Sequence, residues 1–168
     1  MITLSLYNGH NAAVCIMRDG KILLNWELER FSRIKHDYGF NQAFLDKSLE
    51  HCSLSMDDID VVITNNQSYG RKPPWDVPST KDTEFVDFTI NSKPAYAINH
   101  HLCHVASSYY TSPFNSATII TQDGGGDNEN FSWARGQGNK ITQFGAEKVK
   151  NIAGWWSGIT MNNYRMPR

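Results

Sequence analysis

The sequence predicts a mixed α/β fold: a sheet with flanking helices, followed by the opening hairpin of a second sheet. Three observations carry this expectation. Residues 1–29 hold three runs of β-forming residues, two of them joined by Asp19-Gly20, a strong hairpin signal. Helical spacing and short apolar runs then alternate. Further on, a strand pattern ends in Asp123-Gly124-Gly125-Gly126-Asp127 and two more strand patterns follow.

Taken in order, Ile2 to Tyr7 reads as a buried strand ending at the Asn8-Gly9 turn. Ala12 to Arg18 and Lys21 to Glu29 complete an antiparallel trio. Asn41 to Cys52 sets Phe44, Leu45, Leu49 and Cys52 at helical spacing behind Asn41, a suitable cap. A strand over Ile59 to Thr64 comes next. Asn66 to Asp82, with Pro73, Pro74 and Pro78, reads as an irregular surface excursion. Tyr96 to Asn99 is a short strand leading into a helix from about His101 to Tyr110. Ala117 to Gln122 is the strand that enters the glycine run. Asn130 to Arg135 and Ile141 to Val149 form a hairpin after it, and Ile152 to Tyr164 opens a helix. Three strands, helix, strand, helix, then a new strand is the order of an RNase H-like half starting a second copy of itself, with residues 1–115 as the first subdomain and 116–168 as the start of the second. By analogy this order points to the actin-like ATPase superfamily, but fold alone assigns no function.

The chain of 168 residues, 40% hydrophobic and 20% charged, has the composition of a globular domain with a packed core. A formal net charge of −1 gives no field that would hold nucleic acid or an anionic membrane in general. Cys15, Cys52 and Cys103 are odd in number and widely spaced, which suits a reducing compartment rather than a disulfide framework. The N-terminus lacks the pattern of a signal peptide, and no apolar run reaches the roughly 20 residues of a membrane span. The expectation is a cytoplasmic protein that binds small molecules.

Chemistry is suggested at four places. His100, His101 and His104 fall where a strand meets a helix, and His100 and His104, four apart, share a helical face. Two imidazoles so placed grip one metal ion when a carboxylate joins them, and Asp123 at the next strand end is the natural donor. Helix-capping or core histidines would have the same spacing. In the glycine run, Gly124 and Gly125 would let backbone N–H groups approach a phosphate, although an ordinary hairpin turn reads alike. His10 projects from the end of the first strand, a usual place for a functional group in α/β folds. Arg33 and Lys35 stand in a crowd with Glu27, Glu29, Arg30, His36 and Asp37, able to fold over an anion or simply to neutralise one another.

Six segments occur together and in order: GHNAA at 9–13, RDG at 18–20, ELERFSRIKHD at 27–37, DID at 58–60, HHLCHVASSYYTSPF at 100–114 and TQDGGGD at 121–127. With these the chain resembles the O-carbamoyltransferases of the nodulation-protein U and cephamycin carbamoyltransferase type, over nearly its whole length. Ala13 stands where that family often has Ser, and Cys103 where it usually has Ala. The resemblance implies use of carbamoyl phosphate and ATP to make carbamoyl-adenylate, whose carbamoyl group passes to a hydroxyl. It implies a divalent metal, commonly iron, on His100, His104 and Asp123, with His10 by the carbamoyl group and Arg33 and Lys35 near the anionic intermediate. Members of the family run to several hundred residues. The resemblance therefore also implies a segment that lacks a fourth metal ligand, most of the ATP cleft and the YrdC-like domain, and that is incomplete alone or completed by a second chain. Trp155 and Trp156 would then contribute to an apolar docking face. The alternative is a non-catalytic metal- or nucleotide-binding module acting through partners. Threonylcarbamoyl transfer to tRNA shares HxxxH but not ERFSRIKHD.

Overall fold

A computed structural model describes residues 1–68, 70–150, 152, 154–156, 158 and 159. The chain forms two compact units, Met1–Ile98 and Asn99–Arg168.

In the first unit, β1 (Ile2–Asn8), β2 (Ala13–Arg18) and β3 (Lys21–Glu27) pair antiparallel. The tight turn between β2 and β3 is made by Asp19 and Gly20, both in the left-handed region at φ 49° and 79°. β4 (Val61–Ser68) runs parallel to β1, and β6 (Lys93–Ile98) parallel to β4. The resulting order, β3-β2-β1-β4-β6, is the mixed sheet of an RNase H-like half, with β5 (Phe85–Ile90) added at its edge. Period-2 alternation buries Leu4, Leu6, Val14 and Ile16. Helix α2 (Gln42–His51) lays Phe44, Leu45 and Leu49 into the same core, each of them contributing about 1.5–3 kcal/mol by burial. Its cap is Asn41, whose side chain accepts from the Phe44 N–H at 3.0 Å.

Three local expectations need correction. The third strand stops at Glu27, and Leu28–Ser32 form a short helix, α1, because the fully buried Leu28 turns the chain inward and Arg33 closes the helix at φ 63°. The fourth strand lies at 61–68 rather than 59–64. The β5–β6 hairpin was not anticipated. Its register, Ile90 opposite Lys93, places Asn91 and Ser92 in the turn at φ 49° and 62°, a pair that lacks the usual glycine. Between β4 and β5, residues 70–84 form no helix or strand.

In the second unit, α3 (His100–Tyr110) precedes β7 (Ser116–Gly126), β8 (Glu129–Gln137) and β9 (Lys140–Glu147), an antiparallel meander in the order β7-β8-β9. Like β1-β2-β3, its strands pair antiparallel in chain order. His101, Val105 and Tyr109, spaced by four, are the buried stripe of α3. Val105 and Tyr109 pack with Ile119 of β7 and Ala134 of β8. The Tyr109 ring lies directly on Gly136, and its hydroxyl donates to the carbonyls of Asn115 and Gly138 at 2.9 and 3.0 Å. Ile120 and Trp133, paired across β7 and β8, are exposed, as are Trp155 and Trp156. The helix expected over Ile152 to Tyr164 falls largely outside the described residues. Among the described residues no helix is long and apolar enough to cross a membrane.

Candidate metal centre

The site is built by two element ends within the second unit. Asn99 caps α3, its side-chain oxygen accepting from the N–H groups of His101 and Leu102 at 2.9 and 3.1 Å. This fixes the first turn, where His100 stands, and carries His104 one turn further along the same face. Strand β7 carries Asp123. It does not end before the glycines, as the sequence suggested, but continues through an irregularity to Gly126, which pairs with Glu129. The reversal is made by Asp127 and Asn128 at φ 52° and 69°, both residue types that tolerate the left-handed region.

His100 Nε2 lies 2.7 Å from Asp123 Oδ2, and His104 Nε2 lies 3.3 Å from the same oxygen. The two Nε2 atoms are 3.0 Å apart, with the rings close to perpendicular at 88°. A cation bonded at about 2.0–2.1 Å to each donor would hold them roughly 3 Å apart, so the three edges of this triangle fit one ion. The triangle is also electrostatically prepared. Burial pushes the His100 imidazole below its usual value, against the pull of Asp123, in the direction of the neutral form that ligation requires. Burial works against ionisation of Asp123, but donors from His100, the Gly124 N–H and His104 prevail and hold its carboxyl down at about 2. One ligand atom from each of His100, His104 and Asp123 lies within 4.8 Å of the other two. Cys103, between the histidines in sequence, is a thiol pushed up by burial to about 11, and it lies outside the converging group. His101 is fully buried, and neither of its ring nitrogens has a partner among the described residues.

Gly124 and Gly125 lie on the exposed end of β7. The Gly124 N–H donates to Asp123 Oδ1 at 2.6 Å, and Gly125 takes φ 151°, which disfavours a side chain there. His10, Arg33 and Lys35 belong to the first unit, and all three are exposed. The His10 ring stands edge-on to Tyr7 at 5.9 Å, with Nδ1 3.3 Å from the Asn11 side chain. The Arg33–Lys35 turn is tied by its backbone: the His36 N–H donates to Glu29 at 2.9 Å, and buried Asp37 accepts from Arg71 at 2.8 Å. Arg71 also donates to the carbonyls of Phe40 and Tyr38. Sequence reasoning passed over Arg71, 34 positions from its partner and inside the proline-rich stretch. It also gave Asp127 no role of its own, though its carboxylate accepts from the His100 N–H at 2.7 Å.

Residues 79–153, which include His100, His104 and Asp123, match the family model described as carbamoyltransferase N-terminus. Nodulation protein NolNO of Sinorhizobium fredii is 26% identical over 79% of this chain and 22% of its own length. An uncharacterized Synechocystis protein is 26% identical over 79% of this chain and 27% of its own. For an uncharacterized protein of Methanocaldococcus jannaschii the values are 28%, 94% and 29%. The chain thus spans between a fifth and a third of the length of these relatives. Among solved structures, YeaZ from Pseudomonas aeruginosa aligns with a TM-score of 0.47 and 8% identity over 90% of this chain and 71% of that one.

Proposed function

We propose, from the match of residues 79–153 to the carbamoyltransferase N-terminal family and the likeness to NolNO, that the chain provides the metal-holding segment of an enzyme that moves a carbamoyl group from carbamoyl phosphate, through carbamoyl-adenylate, to a hydroxyl. The observation that carries the reading is the His100–His104–Asp123 triangle, lying inside the stretch matched by the family. Bound there, a divalent cation, iron first among the candidates, would supply Lewis-acid neutralisation of charge on the adenylate phosphate.

The chain's own groups have these roles. His100 and His104 offer neutral nitrogen and Asp123 an anionic oxygen, a mixed set that suits a borderline ion such as Fe(II) or Zn(II). The exposed backbone of Gly124 and Gly125 is open to phosphate oxygens. Arg33 and Lys35 provide positive charge for the anionic intermediate, and His10 takes the proton of the acceptor hydroxyl as it attacks the carbamoyl carbon and AMP departs. The relatives' greater length agrees with a site completed by further sequence, in the same polypeptide or in a second chain.

The test is binding of a sulfamoyl-adenosine mimic of carbamoyl-adenylate to the Fe(II)-loaded chain, measured by calorimetry beside AMP. The reading expects metal-dependent binding, at least about tenfold tighter for the mimic and weakened in His104→Ala and Lys35→Ala. Equal affinity for AMP would favour a plain nucleotide-binding module. Absence of binding by either compound would overturn the proposal.

A further inference from the structure

We propose that Asp127 is a positioning residue for the His100 imidazole, acting through the His100 backbone. Asp123 and Asp127 bound the same glycine run. The structure gives them different tasks on one histidine. Asp123 Oδ2 meets the His100 ring at 2.7 Å, whereas Asp127 Oδ2 accepts from the His100 N–H at 2.7 Å. Asp127 is absent from the group of converging donor atoms, which comprises His100, His104 and Asp123.

The physical reason lies in the start of α3. The first N–H groups of a helix have no intrahelical acceptor. Asn99 satisfies those of His101 and Leu102, and the His100 N–H needs a separate acceptor. Asp127 supplies it from a rigid place, because the Gly126–Glu129 pair and the left-handed Asp127-Asn128 turn fix where its carboxylate stands. A carboxylate at this end of a helix is also favoured by the aligned peptide dipoles. His100 is therefore held at two points by a single loop, by its backbone and by its ring. Without the backbone contact the first turn can fray and the ring loses its fixed distance to Asp123. Outer contacts of this kind typically change metal affinity about 10–100-fold when removed.

The affinity consequence rests on the metal reading above, but the contact does not, so the experiment has two arms. In the first, the metal-free chain is followed by amide NMR and hydrogen exchange in the parent, Asp127→Ala and Asp127→Asn. The His100 amide is expected to move upfield and exchange at least about tenfold faster in Asp127→Ala, and to stay close to the parent in Asp127→Asn, which keeps an acceptor oxygen. An unchanged His100 amide in Asp127→Ala would overturn the proposal, whatever the metal result. In the second arm, Co(II) is titrated and its visible absorption recorded. Asp127→Ala should bind about 10–100-fold more weakly, with Asp127→Asn restoring most of the affinity. An Asp127→Asn variant as weak as Asp127→Ala would make Asp127 a ligand and contradict the positioning role. If instead His100→Ala and Asp123→Ala bind Co(II) as the parent does, the metal reading fails, and the first arm still decides the Asp127 contact.

Discussion

The two units present their candidate groups in opposite ways. In the second, a helix start and a strand end bring two imidazole nitrogens and a carboxylate oxygen together, with edges of 2.7, 3.0 and 3.3 Å. In the first, Arg33 and Lys35 stand exposed on a turn whose backbone is fastened by Glu29 and by the Asp37–Arg71 pair. Convergence of side chains needs rigid element ends, and the second unit is built as a preorganised donor set. The first unit carries Arg33 and Lys35 exposed on an anchored turn, with no partner group converging on them in the described hydrogen bonds. Changes that loosen an anchor should therefore cost stability, and changes to displayed groups should cost only binding.

The largest expected loss is at the support of α3. A Cβ at Gly136 would collide with the buried Tyr109 ring. Gly136→Ala should lower stability by about 2–3 kcal/mol, read by thermal melting, since the overpacked ring must leave its place. Next comes the anchor of the first unit. Arg71→Met strips buried Asp37 of its guanidinium and frees two carbonyls, which should cost about 2 kcal/mol in denaturant unfolding.

Acid should separate the two regions. His100 is pushed below its usual value by burial, so the folded state resists the proton that the unfolded chain accepts. Its contribution is whole above about 6.5 and fades as pH falls below that. Burial opposes ionisation of Asp37, but Arg71, Ser32 and the Tyr38 N–H hold its carboxyl below the ordinary 3.8, so its contribution fades only as pH falls through that lower value. Amide resonances around His100 should move first as pH is lowered, and those around Asp37 later. The reverse order would break the contrast. The smallest effect is expected at Lys35: Lys35→Ala should change stability by less than about 0.5 kcal/mol while weakening adenylate-mimic binding.

The convergence of side chains in the second unit was legible because each donor falls in a short motif at an element end. HHLCH places two histidines one turn apart, and TQDGGGD puts an aspartate on the next strand. The order of the first sheet was readable for the same reason, from alternation and from Asp19-Gly20. What escaped depends on distant or atypical partners. Leu28 ends a strand only because the core receives it, the Asn91-Ser92 turn lacks glycine, and the Asp37–Arg71 contact joins a charge cluster to a stretch that reads as loop. Asp127 was visible as half of a symmetrical motif, but its acceptor role depends on where the first turn of α3 meets it.

The central claim is that His100 and His104 with Asp123 hold one divalent cation, and metal analysis of the purified chain tests it most directly. Parent, His100→Ala, His104→Ala and His101→Ala would be loaded anaerobically with Fe(II), desalted and measured by elemental analysis, with folding checked by circular dichroism. The account predicts about one ion per chain in the parent and in His101→Ala, and loss of the ion in the other two. Unchanged stoichiometry in His100→Ala and His104→Ala, or loss confined to His101→Ala, would contradict it.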